Sequence, residues 1–88
     1  MAAYVYVIGT RDRTGRLLTY VGWTLDLDRR LADHNGGRKG AKSTRSRHWT
    51  LVYAEKHRTR KGAMKREYVI KKDRVFRSRL RATMVGVR

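Results

Sequence analysis

Glu67 holds an unusual position in the sequence. Ala63, Glu67 and Ile70 fall at i, i+4 and i+7, a single stripe of a helix. A carboxylate in the middle of an apolar stripe must either reach the rim to be solvated or meet a cation. Lys65, Arg66, Lys71 and Lys72 stand beside it, so an ordinary salt bridge is one account. The sharper account is an oxygen ligand for a hard divalent ion, Mg²⁺ or Mn²⁺. Such ions are held by one or two carboxylates, with water and substrate phosphate completing the set. The chain has only 7 Asp and Glu, and Asp12, Asp26, Asp28 and Asp73 have capping, turn or surface explanations. One ion is therefore the most this sequence supports.

Arg30 and His34 are also at i and i+4, so they share a stripe, offset from Leu27 and Leu31, and can present a donor and a proton acceptor to one phosphate. The plainer reading of His34 alone is decoration of a helix end. His48 and His57 have no comparable companions. Tyr6 and Tyr20 lie on two neighbouring strand-like segments, Tyr20 shortly before Gly22. Packing on a half-buried strand explains both phenols, and so does a shared reaction centre. Trp23 and Trp49 suit core packing better than base stacking. With no Cys there is no thiol nucleophile, and no GK[ST] follows the glycines at 36–40 to make a phosphate-binding loop.

These residues need elements to position them. The segment AYVYVIGT, rich in β-branched and aromatic residues, predicts a strand with Val5 and Val7 on one face and Tyr4, Tyr6 and Ile8 on the other. RDRTGR, with Gly15 at its centre, predicts a hairpin, and LLTYVGW an antiparallel second strand. Thr24 is the expected N-cap of a helix over LDLDRRLADHN, with Asp26 and Asp28 in its first turn and Asn35-Gly36-Gly37 at its end. The polar stretch GGRKGAKSTRSRH is a solvated loop, a phosphate-tracking loop or a short helix. WTLVYAE predicts a third strand and TRKGAMKREYVIKKDR a helix. VFRSRLRATMVGVR predicts a short packed helix with a frayed end. The packed domain is expected over 1–82, with 83–88 as a tail.

Composition narrows the partner. The chain carries 23 Lys and Arg against 7 Asp and Glu, a net charge of +16 that repels itself unless a polyanion compensates it. Nucleic acid is the expected partner, since each neutralised phosphate releases a condensed counterion. No segment pairs a continuous apolar face with a basic one, as a membrane-surface helix would, and no apolar run approaches the roughly 20 residues that span a bilayer. The start of the chain does not resemble a secretory signal. An intracellular protein, cytoplasmic or at the nucleoid or nucleus, is expected.

In their order along the chain, Tyr6 in YVY, Tyr20 in YVG, Arg30 and His34 in RRLADHN, and Glu67 in KREYVIKK together resemble the GIY-YIG nuclease domain. The likeness is to its small stand-alone members and to the catalytic module of structure-specific endonucleases. It runs from about Tyr4 to Lys72. The resemblance implies an α+β fold, a small three-stranded antiparallel sheet flanked by helices in the order β-β-α-(α)-β-α-α. It also implies an endonuclease hydrolysing phosphodiester bonds, with one divalent metal. Glu67 would be the metal ligand, and Arg30 would bind the scissile phosphate. Tyr6 would serve as general base or orienter of water, with Tyr20 beside it and its pKa drawn down by positive charge. His34 would assist proton transfer, and Gly22 would let the backbone approach closely. Lys39, Lys42, Arg45 and Arg47 are the expected nucleic-acid contacts. DNA is the expected substrate, branched, flapped or nicked, in repair or recombination. Target choice would come from the domain, a homodimer or a protein partner. The competing reading is a non-catalytic basic module that binds DNA or RNA.

Overall fold

The computed structural model describes residues 2–36 and 48–84. Lys39, Lys42, Arg45 and Arg47, in the stretch read as a loop or a short helix, lie outside them. Strand β1 (Ala3–Arg11) forms the centre of a three-stranded antiparallel sheet, between β2 (Leu17–Thr24) and β3 (Thr50–His57). Helix α1 (Leu27–Gly36) follows β2, and α2 (Arg60–Lys72) and α3 (Arg74–Ala82) follow β3. The fold is α+β, as expected.

The β1–β2 hairpin turns on Asp12 and Gly15. The Asp12 carboxylate accepts from the amides of Thr14 and Arg16, and Gly15 supplies the positive φ of 84° that other residues resist. Helix α1 begins differently from expectation. Asp26, not Thr24, takes the capping place: its carboxylate accepts from the Arg29 amide at 3.1 Å, while Thr24 Oγ1, two residues earlier, accepts from the Asp26 amide. Thr59 caps α2 by accepting from the Gly62 amide. Asp73 ends α2 and caps α3, its amide donating to Ile70 and its carboxylate accepting from Phe76. One residue thus joins the two helices with no loop between them.

The alternation along β1 divides the core in two. Ala3, Val5 and Val7 face α2 and α3, where they bury Val21, Ala63, Ile70 and Leu80, with Trp23, Tyr53 and Phe76 packed around them. Burying such a side chain fully is worth roughly 1.5–3 kcal/mol. Between Val7 and Ile8 the β1–β3 register slips, since Val7 pairs with Tyr53 but Ile8 with Leu51. This bulge allows the consecutive residues Val52 and Tyr53 both to pack on the α2/α3 side. Tyr6 and Ile8 face the opposite way, against Trp49, Leu27 and Leu31. The packed region extends past the expected boundary at residue 82. Met84 is fully buried, and its thioether fills the space over Gly9.

Candidate active site

The α1 face of the sheet gathers most of the residues singled out above. Tyr6 pairs with Gly22 across the β1–β2 ladder, and Tyr20 pairs with Ile8 one step along on the same face. Both phenols belong to one packed cluster with Ile8 and Trp49. His34 lies between them, buried at 0% exposure. Its ring centroid is 5.7 Å from that of Tyr6 and 5.0 Å from that of Tyr20, the latter edge-on. Tyr6 Oη and His34 Nε2 share a buried hydrogen bond of 2.7 Å. His34 is not offset from the leucines as expected: Leu27 and Leu31 seat α1 on the sheet, and His34, three residues after Leu31, continues their stripe.

Gly22 has a specific local reason. A Cβ at this position would lie 2.4 Å from Tyr6 Oη and 2.6 Å from Tyr6 Cζ. The phenol crosses the ladder over a residue without a side chain, and so the space at Gly22 belongs to Tyr6. Only glycine lets the Tyr6 ring reach this position.

Electrostatics at Tyr6 run against expectation. Burial pushes the phenol up to about 12, and the Arg30 guanidinium beside it, by hydrogen bonding and charge, pulls it down less than burial raises it. The charges of Tyr20 and Glu67 push in the same direction as burial. At neutral pH this tyrosine keeps its proton. His34 is shifted the other way: burial, then the Arg30 charge, lower its pKa, with Asp33 opposing. The imidazole is therefore neutral. Arg30 also lies 3.9 Å from Asp33.

Glu67 reaches the same region from the helix α2. On its stripe Ala63 and Ile70 are fully buried, whereas the Glu67 side chain is 21% exposed at the rim. Both readings of this residue have support in its surroundings. Lys71 Nζ stands 3.6 Å from its carboxylate, but that lysine is half exposed and such a pair is weak. The Glu67 charge is also felt at Tyr6. Among the described residues no three His, Cys, Asp or Glu converge as a ligand set. A lone rim carboxylate with hard oxygens fits Mg²⁺ or Mn²⁺ taken with water and substrate oxygens, and does not fit a soft metal.

Two features escaped the sequence reading. Asn35 clasps the Trp49 peptide, accepting from its amide at 2.6 Å and donating to its carbonyl at 3.0 Å. Thr10 donates to the neighbouring His48 carbonyl at 2.5 Å. The chain that returns to β3 is thus anchored beside the site, where Trp49 packs edge-on to Tyr20. An asparagine at a helix end signals a stop, and nothing local reveals a partner at Trp49. The second feature is a polar cluster on the other face of the sheet. His57, which has no obvious companion in sequence, meets Glu55 at 2.8 Å, and Arg66 Nε donates to the same carboxylate at 2.9 Å. The Tyr53 hydroxyl donates to its second oxygen. Strand alternation could have placed Tyr53, Glu55 and His57 on one face.

The GIY-YIG catalytic domain family matches residues 2–79. The chain belongs to the GIY-YIG family. It is similar to a UPF0213 protein of Syntrophus aciditrophicus, 43% identical over 70 residues that cover 78% of this chain and 76% of the relative. A UPF0213 protein of Natronomonas pharaonis is 40% identical over 85 residues, 94% of each chain. The solution NMR structure of a UPF0213 protein from Bacillus halodurans is 35% identical, covers 99% of this chain and 88% of that one, and has a TM-score of 0.48. GIY-YIG domains are those of endonucleases, and they generally use a divalent metal. Among the described residues no helix is long and apolar enough to cross a membrane.

Proposed function

We propose that this GIY-YIG chain is a metal-dependent endonuclease that hydrolyses phosphodiester bonds in DNA, selecting branched, flapped or nicked structures in repair or recombination. The observation that carries the reading is the buried 2.7 Å hydrogen bond between Tyr6 and a neutral His34, beside Arg30 and within the field of Glu67.

A phenol held near 12 is a poor pre-formed base, but it is well suited to relay a proton. Tyr6 takes a proton from the attacking water as it passes its own to His34 Nε2. The water oxygen forms the new bond to phosphorus as the bond to the leaving oxygen breaks, and solvent protonates that oxygen. Arg30 binds the scissile phosphate and the charge that develops on it. Tyr20, edge-on to His34, holds the imidazole in line. Glu67 would hold Mg²⁺ or Mn²⁺, which when bound stabilises negative charge on the phosphate oxygens.

A cleavage assay on duplex, nicked, flapped and branched DNA, with Mg²⁺, Mn²⁺ or EDTA, tests the proposal. Cleavage of the non-duplex forms that needs metal and Glu67 is expected. Metal-dependent cleavage that persists in purified Glu67→Ala protein would remove the metal assignment. Tight binding with no cleavage under any condition would leave a binding module.

A further inference from the structure

Helix α3 carries the sequence RVFRSRLRA, four arginines in nine residues. Phe76 and Leu80 form its buried side. Arg74, Arg77 and Arg81 fall at i, i+3 and i+7, one stripe on the side away from Phe76. Arg74 is exposed, and Arg77 and Arg81 are partly buried. Among the described residues none of the three forms an ion pair, in contrast to Arg30 and Arg66. The Nε of Arg77 is buried without a hydrogen-bond partner. This Nε is packed in place but not matched to an acceptor.

We infer that the Arg74–Arg77–Arg81 stripe is a second backbone-binding surface, which grips the sugar–phosphate chain of DNA outside the catalytic pocket. The inference rests on the reading of DNA as substrate. The geometry suits this ligand. Arg74 to Arg81 spans about 10 Å of helix, long enough to face roughly two neighbouring phosphates of one strand, whose axial rise of about 3.4 Å is only part of their separation. Arginine forks bind phosphate oxygens in pairs, which a packed, pre-oriented guanidinium does best. The surface is also held rigidly relative to the pocket, because Asp73 joins α3 directly to the helix that carries Glu67.

The test is binding of a fluorescently labelled duplex in EDTA, by anisotropy across a salt series, so that cleavage does not enter. The variant Arg74→Gln/Arg77→Gln/Arg81→Gln should weaken binding by tenfold or more, and its salt slope should fall by about 2 to 3. A charge-matched control, Arg13→Gln/Lys61→Gln/Arg79→Gln, removes the same net charge from exposed positions and should change the slope by less than half as much. Should the packed Arg77 prove necessary for folding, Arg74→Gln/Arg81→Gln alone should lower the slope by about 2. An unchanged slope, or a control that loses as much as the stripe variant, would overturn the inference. Absence of cleavage by the unsubstituted protein would instead count against the nuclease reading and leave this result standing.

Discussion

The two faces of the sheet use the same residue types to opposite ends. On the α2/α3 face, Tyr53, His57 and Arg66 all direct hydrogen bonds at Glu55. Burial raises the Glu55 carboxyl, but those three bonds together outweigh it and hold the group below its ordinary range. Arg66 lies in turn over Phe76, which meets Tyr53 edge-on, so the cluster ties β3, α2 and α3 together. On the α1 face, Tyr6 and His34 are more deeply buried and are hydrogen-bonded to each other. Burial pushes the phenol up and the imidazole down, leaving a neutral donor and a neutral acceptor in contact. A closed charge set is a structural clasp. A neutral buried pair can transfer a proton.

The largest expected effects would break this contrast. If the Tyr6–His34 pocket, with Arg30 and the rim carboxylate of Glu67, is the chemical one, Arg30→Ala or Glu67→Ala should lower cleavage by about 10²–10³-fold or more, with duplex affinity and melting temperature little changed. On the other face, Glu55→Gln weakens bonds from Tyr53, His57 and Arg66 and should lower stability by about 1 kcal/mol, the site being partly exposed. Its cleavage rate at a temperature where it is folded should stay near that of the unsubstituted protein. A loss of activity without a loss of stability in Glu55→Gln would mean that the two faces are not separable.

Next in size is the fit between Gly22 and Tyr6. Gly22→Ala places a methyl group 2.4 Å from the Tyr6 hydroxyl, and the aromatic ring is too confined to move cheaply. A destabilisation of about 1–3 kcal/mol is expected, with loss of cleavage. The sharper form is a double-mutant cycle. In a Tyr6→Ala background the same alanine meets no ring, and most of its cost should vanish. Equal costs in both backgrounds, measured by denaturant titration, would mean that Gly22 serves some other purpose.

Much of this arrangement was legible from residue order. The alternation in AYVYVIGT separated Val5 and Val7 from Tyr6 and Ile8, and the structure packs them against different helices. The stripe of Ala63, Glu67 and Ile70 was equally plain, because period alone determines it. The quantities that depend on distant partners were not legible. Net charge suggests that the Tyr6 proton is loosened, but burial, a tertiary property, outweighs the neighbouring cation. The cap of α1 moved from Thr24 to Asp26 because both residues are good caps, and the geometry of the turn decides between them. The Asn35–Trp49 clasp joins residues separated by the basic segment, which local pattern cannot relate.

The smallest effect expected is also the most direct reading of the pair. His34 has its ordinary value of 6.5 lowered by burial and by Arg30, while Asp33 opposes and the Tyr6 and Tyr20 rings cover it. In the unfolded chain the imidazole takes up a proton as pH falls through about 6.5; in the folded protein it resists until lower pH. The unfolded state therefore holds more protons in that window, and stability must fall as pH drops below 6.5. Tyr6 gives the mirror image. Its folded value of about 12 exceeds the ordinary 10.0, so stability should fall again as pH rises from 10 toward 12. Denaturant midpoints across both windows check this, and His34→Gln should flatten the acid limb only. If the relay operates, cleavage should also decline on the acid side, but only as pH falls through the lowered folded value of His34, because a protonated imidazole cannot accept from Tyr6. Loss of stability below 6.5 in His34→Gln equal to that of the unsubstituted protein would assign the titration to another group and take the proton acceptor out of the proposed chemistry.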